Sequence, residues 1–543
     1  MKTYDYIVVG AGSAGCVVAH RLSADPSLRV LMIEAGNTTR HYLLPMPFAC
    51  GRVFYDPKLN WGFETEPEPF ADNRVLTRAA GKVLGGGSSI NGMLYTRGHH
   101  RDYDQWAQLG CTGWAFSDVL PYFKRSETNW RGATPVHGGD GPLSVSRHMP
   151  DKPYAQIAAS ARRLGYHVTD DFERDAPDGF GIPDFTTHKG RRGSTAKRYI
   201  DPIGNRRNLT IETGAQVTRL LLEGRRAVGV EYAIGGQLKQ VRADRELVLS
   251  AGAYNSPKLL MLSGIGPADD LAEIGVKPIH DLPGVGRNLQ EHPGAAITYR
   301  SRGPLEFDAR LRLDKLMMSV LQWHFTGRGD IASLPFTAMA FCRSRAGLER
   351  PDIELLFTPA VLDARIWFPG WRKPNGRTHS ISSYLLRPYS RGWVKLRSPD
   401  PSAPPRILLN LLAEQSDRNT LLRAFRMVRE FMASEPASLL VETETAPGLD
   451  AVSDEALLAY IRRVIRTAQH PTSTCAMGTG PDAVVDSELR VRGLYGLRVI
   501  DASIMPIIVS GHTNAPTIMI GERGADLVLG KKLTATALPV AAA

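Results

Sequence analysis

The hydrophobic pattern near the N-terminus predicts a strand, a glycine turn and a helix in immediate succession. Tyr6-Ile-Val-Val-Gly10 is a short apolar run rich in β-branched residues, and a helical pattern follows the turn as far as Ala24. Residues 29–34 form a second apolar run that ends in an acid. Because strands of a parallel sheet are buried on both faces, continuous apolar runs flanking a helix indicate a parallel α/β unit.

Later parts of the chain follow a different pattern. Residues 294–410 carry alternating strand-like runs, such as Ser380–Leu386 and Gly392–Leu396, divided by proline and glycine as in an antiparallel sheet. Leu497–Asp501 again has the pattern of a buried strand, and Pro516–Leu529 that of a helix. We therefore expect an α/β fold: a Rossmann-like nucleotide domain, discontinuous in sequence, with an inserted α+β domain built on an antiparallel sheet.

Chain length and apolar content are consistent with this division. The 543 residues exceed what one core usually supports, and 43% hydrophobic residues suffice to fill about two or three compact units. No apolar run reaches the roughly 18 residues of a membrane span, and the first strand-like run begins near Tyr4, too early for a preceding signal peptide. The sequence thus predicts a cytoplasmic protein.

The net charge of +11 raises the question of an anionic partner. Basic and acidic residues alternate along most of the chain, which favours a solvated surface and no nucleic-acid partner. Two predicted helices, Leu421–Ser434 and Tyr460–Gln469, are exceptions because their arginines recur at helical spacing. These arginines are Arg423, Arg426 and Arg429 in the first, and Arg462, Arg463 and Arg466 in the second. Solvated faces are the main interpretation, and docking to the inner face of a membrane or to a redox partner is the alternative.

Neither cysteines nor histidines form a metal-binding pattern. The five cysteines are scattered and odd in number, and none forms a C-x-x-C pair, so reduced thiols are expected. His99 and His100 are adjacent, but neighbouring side chains rarely converge on one ion, and no further ligand lies at the required spacing. No metal site is predicted.

The glycine turn predicts a dinucleotide site. In Gly10-Ala-Gly12-Ser-Ala-Gly15 the glycines allow a tight turn, a close approach of backbone to a pyrophosphate and packing of helix on strand. The helix N-terminus would stabilise the diphosphate. Glu34 would accept hydrogen bonds from the adenosine ribose and disfavours NADP. The residues assigned to this site are Gly10, Gly12, Ser13, Ala14, Gly15, Glu34 and Ala35.

The turn alone leaves FAD and NAD open. Only one such turn occurs in the chain, which favours a flavoprotein whose electrons pass to something other than a second nucleotide. A second glycine cluster, residues 81–95, is too distant from Gly15 along the chain to be assigned to the same phosphates. A third segment, residues 252–266, predicts a helix with Ser256 as N-cap and Pro257 at the first helical position.

Together these segments resemble the paired signatures of the glucose-methanol-choline (GMC) oxidoreductase family. The blocks that carry the resemblance are Gly81–Tyr95, Gly252–Gly266, Gly284–His292, His470–Gly478 and Asp501–Glu522. The resemblance implies an FAD-binding domain beneath a six-stranded antiparallel substrate domain. It places the FAD domain at residues 1–155, 193–300 and 466–530, and the substrate domain at 156–192 and 301–465. The alanine-rich end of the chain has no periodic apolar face, so a flexible tail is expected at 531–543.

The resemblance also assigns contacts to the flavin. It implies that Val83, Asn91, Gly92 and Met93 line the flavin, that Val217 contacts adenine through its backbone, and that Asp501, Asn514, Pro516 and Thr517 hold the ribityl chain and ring. Members with covalent flavin carry histidine at the position of Ile90, so non-covalent FAD is expected here. The helix that starts near Pro516 would direct its positive end at the flavin N1 and C2 carbonyl.

Two histidines are the predicted catalytic residues. Alcohol oxidation needs a base beside the hydroxyl, and neutral histidine is suited to that role near pH 7. His470 precedes Pro471, which discourages helix at the histidine, and His512 lies just ahead of the final predicted helix. By resemblance His470 takes the hydroxyl proton, and His512 hydrogen-bonds the same oxygen and orients the alcohol.

The expected reaction is oxidation of a primary alcohol to an aldehyde, with electrons passed to oxygen, a quinone or another carrier. Choline enzymes of the family resemble one another in having an aromatic residue before the catalytic histidine. This chain has Gln469 there, which favours a neutral aliphatic, aromatic or polyether alcohol. A choline dehydrogenase, a hydroxynitrile-lyase-type carbon–carbon lyase with structural FAD and a light-driven decarboxylase are the alternatives. Peripheral membrane contact and oligomeric state are left open.

Overall fold

The computed structural model describes residues 2–37, 41–149, 151–174, 178–359 and 364–534. Residues 535–543, most of the expected flexible tail, lie outside the described residues. The helices are α1 (Ser13–Leu22), α2 (Cys50–Phe54), α3 (Gly87–Ile90), α4 (His100–Gln108), α5 (Phe116–Ser126), α6 (Lys152–Arg163), α7 (Gly252–Leu262), α8 (Ala268–Glu273), α9 (Glu306–Arg310), α10 (Leu313–Thr326), α11 (Gln415–Ala433), α12 (Asp454–Val464) and α13 (Asn514–Val528).

The first half of the chain contributes most of the short strands. They are β1 (Lys2–Val9), β2 (Val30–Glu34), β3 (Phe63–Glu64), β4 (Thr77–Arg78), β5 (Leu94–Tyr95), β6 (Glu127–Asn129), β7 (Leu143–Arg147), β8 (Gly179–Gly181), β9 (Asp184–Phe185), β10 (Thr187–His188), β11 (Arg191–Arg192), β12 (Leu209–Thr213), β13 (Ala215–Glu223), β14 (Arg226–Ile234) and β15 (Gln237–Leu249). The remaining strands are β16 (Ile265–Gly266), β17 (His280–Asp281), β18 (Pro293–Ser301), β19 (Ala338–Cys342), β20 (Ile353–Thr358), β21 (Thr378–Leu385), β22 (Trp393–Lys395), β23 (Arg406–Leu408), β24 (Val441–Ala446), β25 (Arg466–Thr467) and β26 (Leu497–Val499).

The first large sheet is the nucleotide-type sheet that the opening pattern predicts. Its order is β12-β2-β1-β15-β14-β13, with β26 paired to β15. The pairs of β1 with β2 and β15, of β12 with β2 and of β15 with β26 are parallel, whereas β13, β14 and β15 form an antiparallel meander. The apolar runs of β1 and β2 are buried because helices cover this sheet. The sheet draws on three separate stretches of the chain, and the α/β fold class is confirmed.

The second large sheet is antiparallel throughout. Its order is β24-β18-β21-β20-β19-β8, and the short β25 pairs with the start of β18. The six strands of the main path agree with the sheet that the resemblance implies. The run Gly392–Leu396 also contains a strand, β22, but it pairs with β23 in a separate ribbon. The exact limits of the two domains stay a prediction.

Two helices bring their N-termini together beside the first sheet. A methyl group added at Gly521 would lie 3.0 Å from the carbonyl oxygen of Ala14, so α13 packs closely on α1 at this point. At their starts the hydroxyl of Ser13 donates to Oδ1 of Asn514 at 2.8 Å. The unpaired N–H groups of both helices therefore face the same region.

The predicted N-cap role of Ser256 is wrong. Helix α7 begins at Gly252, so Ser256 and Pro257 lie inside it. The hydroxyl of Ser256 donates instead to Oδ2 of Asp501 at 2.6 Å. Pro257 cannot donate to the carbonyl of Ala253, but the hydroxyl of Thr474 donates to that carbonyl at 2.7 Å. This replacement lets the helix continue through the proline.

The second predicted arginine helix is also shorter than expected. Helix α12 ends at Val464, and Arg466 lies on β25, so Arg466 does not share a helix face with Arg462. The reason is tertiary, because β25 pairs with Pro293 and Gly294 at the start of β18.

Two of the three predicted arginines of α11 make ion pairs with neighbouring acids. Arg429 contacts the Glu444 carboxylate at 2.7 Å, and Arg426 pairs with Asp454. These pairs favour the solvated-face interpretation over a docking surface. Among the described helices none has the length and apolar character needed to cross a membrane.

Candidate active site

A cavity of about 1830 Å³ extends from the glycine turn of β1 and α1 to the face of the antiparallel sheet. Most of the predicted site residues line it: Gly10, Gly12, Ser13, Ala14, Glu34, Ala35, Asn91, Gly92, Met93, Val217, His470, Asp501, His512, Asn514 and Thr517. Gly15, Val83 and Pro516 are not in its lining. Gly15 and Pro516 lie in the first turns of α1 and α13, and Val83 packs in an apolar cluster with Ile90.

Two glycines, Gly15 in the opening turn and Gly86 in the second cluster, are required by close backbone approaches. A Cβ atom at Gly15 would lie 1.9 Å from the carbonyl oxygen of Gly10, which no side chain can occupy. Gly86 has φ of +51°, and its Cβ would lie 2.8 Å from Cα of Gly12. The second glycine cluster therefore packs directly on the first turn, so the expectation that it lies too far from this turn is wrong. The two segments are far apart along the chain, and their contact is a tertiary contact that the local sequence does not indicate.

Glu34 has the geometry of a ribose-binding acid. Its carboxylate accepts hydrogen bonds from the backbone N–H of Ala11 at 2.9 Å and of Gly36 at 2.8 Å. Burial raises the pKa of this carboxyl. One hydrogen bond to each oxygen leaves further lone pairs that face the cavity and can accept from hydroxyl groups.

Two further polar residues of the cavity lining are held in place by the protein itself. Asn91 accepts at Oδ1 from the guanidinium of Arg192 at 2.8 Å. Asp501 caps the turn that follows it through Ser503 N–H at 2.8 Å, and it also accepts from Gly252 N–H at 2.9 Å. Such fixed side chains are preorganised to bind a ligand at little entropic cost.

These residues fit a bound FAD. A dinucleotide needs three features that are present here. They are a glycine turn without room for a methyl group at Gly15 or Gly86, two adjacent helix N-termini, and a buried acid at the end of β2. The cavity continues past them to a wall of side chains from the antiparallel sheet. There is room for a substrate beyond the cofactor.

His470 and His512 lie together in the cavity. Nε2 of His470 is 3.2 Å from Nδ1 of His512, and the two rings are nearly perpendicular. The backbone holds His470 in this position: Gln469 before it has a left-handed φ of +63°, Pro471 follows it, and its N–H donates to the carboxylate of Glu291. The structure therefore brings together the two histidines that the sequence singled out, which lie 42 positions apart.

Two further residues extend this pair in the structure, and sequence reasoning missed both. Nδ1 of His292 lies 2.9 Å from Nδ1 of His470, and Oε1 of Glu354 lies 3.0 Å from Nε2 of His512. Glu354 is completely buried on β20. A signal for it exists in the sequence, because an acid within the apolar run Ile353–Phe357 is costly unless it has a partner.

Hydrogen bonding fixes the orientation of both histidine rings. Oε1 of Glu354 and Nε2 of His512 share a hydrogen bond, which leaves Nδ1 of His512 directed at Nε2 of His470. If Nδ1 of His470 donates to Nδ1 of His292, Nε2 of His470 is the free basic nitrogen that faces the cavity. Burial, with a smaller contribution from His512 and His292, lowers the pKa of His470 well below its ordinary value of 6.5. His470 is thus a neutral base at physiological pH.

This lowered pKa predicts the pH dependence of the reaction. A base whose pKa is depressed stays unprotonated through neutral pH and is lost only as pH falls through its pKa. We expect the rate constant for flavin reduction by an alcohol to be level through pH 6.5 and to fall only well below it. Stopped-flow measurement across this range checks the prediction, and an acid limb with its midpoint above pH 6.5 would contradict it.

The adjacent His99 and His100 have a structural position at the start of α4. Nδ1 of His99 accepts from the N–H of Arg101 at 3.2 Å, and His99 N–H donates to Asp102, so His99 caps this helix. Within the described part of the chain no cluster of three or more histidine, cysteine or acidic side chains is arranged to hold a metal. All five cysteines are buried and free.

Comparison with known proteins gives matches along nearly the whole chain. Models of the family described as GMC oxidoreductase match residues 4–294 and 388–521. The mitochondrial choline dehydrogenase of Mus musculus is 41% identical over 97% of this chain and 89% of its own length. An oxygen-dependent choline dehydrogenase of Chromohalobacter salexigens is 42% identical over 97% of this chain and 95% of its own.

Solved structures match equally completely. Pyridoxine 4-oxidase from Mesorbium loti superposes with a TM-score of 0.86 at 30% identity, covering 96% of this chain and 98% of the other. Formate oxidase from Aspergillus oryzae superposes with a TM-score of 0.89 at 28% identity, covering 97% and 98%. Both similarities extend over both large sheets.

Proposed function

Since the chain belongs to the GMC oxidoreductase family and is an FAD-dependent alcohol oxidoreductase, we propose that it oxidises a primary alcohol to an aldehyde with His470 as the base. The observation that carries this proposal is the contact of 3.2 Å between His470 and His512 in the cavity that also contains the dinucleotide cradle. A neutral imidazole beside an orienting partner is what removal of a hydroxyl proton requires.

Four residues of this chain have distinct roles in the proposed reaction. Nε2 of His470 accepts the proton of the alcohol hydroxyl, while Nδ1–H of His512 donates a hydrogen bond to the same oxygen. Glu354 holds His512 through the hydrogen bond between Oε1 and Nε2, and His292 sets the tautomer of His470. When bound, FAD supplies the acceptor for the hydride that leaves the alcohol carbon. Orientation of the alcohol by two fixed nitrogens directs that carbon for transfer.

The side chain of Gln469, which precedes His470, affects which substrate the cavity can bind. Oε1 of Gln469 accepts from the N–H of Ala79 at 3.0 Å, so an amide occupies the position that would supply an aromatic wall in a choline enzyme. The cavity walls also include Phe336, Leu356 and Ile331. These contacts favour an alcohol without a quaternary ammonium group, although the choline dehydrogenases among the relatives keep choline as the alternative.

An alcohol panel tests the proposed reaction. The purified holoenzyme is supplied with aliphatic, aromatic and polyether alcohols and with choline, under air or with a dye acceptor. We expect aldehyde to form in equal amount to reduced acceptor. Aldehyde released from a hydroxynitrile with no reduction of any acceptor would instead support a carbon–carbon lyase and overturn the proposal.

Non-covalent attachment of FAD is a separate part of the proposal. Ile90 lies buried at the cavity edge, and an isoleucine side chain cannot form a bond to the flavin. Acid precipitation of the holoenzyme should therefore release all flavin into the supernatant as intact FAD. Yellow colour retained in the washed precipitate would show a covalent bond and contradict this prediction.

The electron acceptor and the contact with a membrane stay predictions, and the oligomeric state stays open. Oxygen, a quinone and an electron carrier are the acceptors left open, and the panel under air and with dye separates the first from the others. The proposed action of the α13 N-terminus on the flavin also stays a prediction. Thr517 lines the cavity there, with its hydroxyl donating to the carbonyl of Thr513 at 2.6 Å.

A further inference from the structure

The antiparallel sheet presents an arginine to the substrate end of the cavity. Arg466 on β25 is paired directly with Gly294 on β18, so both residues face the same side of the sheet. On that side Ala296 of β18 is paired with Ser382 of β21. Because positions 294 and 296 carry almost no side chain, Arg466 extends across β18, and its Nη2 donates to the hydroxyl of Ser382 at 2.7 Å.

The Arg466 guanidinium lies one residue pair along the sheet from Glu354, which binds the predicted catalytic residue His512. Glu354 is paired with Tyr384 across β20 and β21. Two positions further along the same face, Leu356 is paired with Ser382. Two residues of a strand span about 7 Å. Arg466, Ser382, Tyr384 and Leu356 all line the cavity. The guanidinium therefore lies within reach of the far end of a small substrate whose hydroxyl is at His470.

The charge of Arg466 is not neutralised by the protein. Within the described ranges Arg466 makes no ion pair, whereas Arg429, at the far edge of the same sheet, binds Glu444. The acids that line the cavity are engaged elsewhere: Glu34 and Asp501 accept backbone N–H groups at the dinucleotide end, and Asp56 contacts His41 at 3.4 Å. The substrate end thus combines a free guanidinium with a hydroxyl neighbour.

We propose that the physiological substrate is an alcohol that also carries a carboxylate, and that Arg466 binds this carboxylate while His470 receives the hydroxyl. This inference rests on the proposed alcohol oxidation and names its substrate class. A planar guanidinium matches a carboxylate with two parallel hydrogen bonds, and Ser382 holds it in orientation. The same charge repels an ammonium group, which gives a second physical reason for discrimination against choline.

Three para-substituted benzyl alcohols, an anion with a neutral amide of the same shape and a cation, test this assignment on the holoenzyme. They are 4-(hydroxymethyl)benzoate, 4-(hydroxymethyl)benzamide and 4-(hydroxymethyl)phenyltrimethylammonium. We expect kcat/KM to be highest for the anion, about 10- to 100-fold above the amide, and lowest for the cation. Arg466→Gln should remove the advantage of the anion, chiefly through KM, and lower kcat/KM for the amide far less than for the anion. Arg463→Gln, an exposed arginine on α12, is the matched control and should change nothing.

A binding measurement separates this inference from the proposed reaction. Benzoate and benzamide, which cannot be oxidised, are titrated against the holoenzyme and followed by perturbation of the flavin spectrum. Tighter binding of benzoate that is lost in Arg466→Gln supports the anion site even if no alcohol is oxidised. Oxidation of the amide alcohol with no preference for the anion, or an equal loss for all three alcohols in Arg466→Gln, overturns the anion site and leaves the proposed reaction standing.

Discussion

Replacing His470 with glutamine is expected to slow flavin reduction by an alcohol by about 10²- to 10⁴-fold, the usual contribution of a positioned general base. Glutamine retains a polar side chain of similar reach but cannot take a proton at neutral pH. The neighbouring His512 is not an equivalent substitute, because its Nε2 is bound to Glu354 at 3.0 Å. Anaerobic stopped-flow spectroscopy measures the rate constant directly.

A second, half-buried histidine provides the matched control. His379 on β21 has its Nδ1 at 2.6 Å from the hydroxyl of Ser301 and does not line the cavity. Desolvation lowers its pKa to about 4, so His379 shares the direction of the pKa shift of His470 without contact with the cavity. His379→Gln should reduce its flavin at the wild-type rate. If His470→Gln, with full FAD content, also keeps that rate, the base is another group.

The second large effect is expected at the glycine turn. Gly15→Ala places a methyl group 1.9 Å from the carbonyl oxygen of Gly10, so the turn must move and the helix N-terminus with it. Overpacking of this kind costs about 1–3 kcal/mol or more, and we expect FAD to bind about 10- to 100-fold more weakly. Flavin content of the purified protein and equilibrium titration of the apoprotein with FAD measure this change.

A neutral glycine substitution shows whether the effect is local. Gly480 is exposed and a methyl group there would meet nothing within 4 Å, so Gly480→Ala should retain wild-type flavin content. A Gly15→Ala protein that is folded by circular dichroism but lacks flavin agrees with the account. Full occupancy of Gly15→Ala by FAD would show that the turn is not the cofactor site.

The parts of the fold that sequence reasoning predicted are those encoded locally. The strand, turn and helix at residues 2–22 lie within one continuous stretch, so their apolar pattern and glycines determine them directly. The antiparallel sheet followed from alternation within its own strands. His470 and His512 were found because each lies in a short block shared with a family, not because the chain shows that they meet.

The residues that were missed depend on tertiary contacts between distant strands. Glu354 reaches His512 across 158 positions, and His292 reaches His470 across 178. The same limit explains the error at Arg466. Its spacing from other arginines predicts a surface helix, whereas its pairing with Gly294 places it on a strand that faces the cavity. Ser256 was assigned to a helix start because the local sequence does not indicate that Thr474 compensates for Pro257.

Anaerobic mixing of the oxidised holoenzyme with a benzyl alcohol tests the central claim most directly. The account predicts that the flavin is bleached in a single turnover, that one aldehyde forms per flavin reduced, and that deuterium at the alcohol carbon slows the bleaching, because hydride leaves that carbon. Aldehyde formed while the flavin stays oxidised, or reduction that is unaffected by removal of both His470 and His512, would contradict the account.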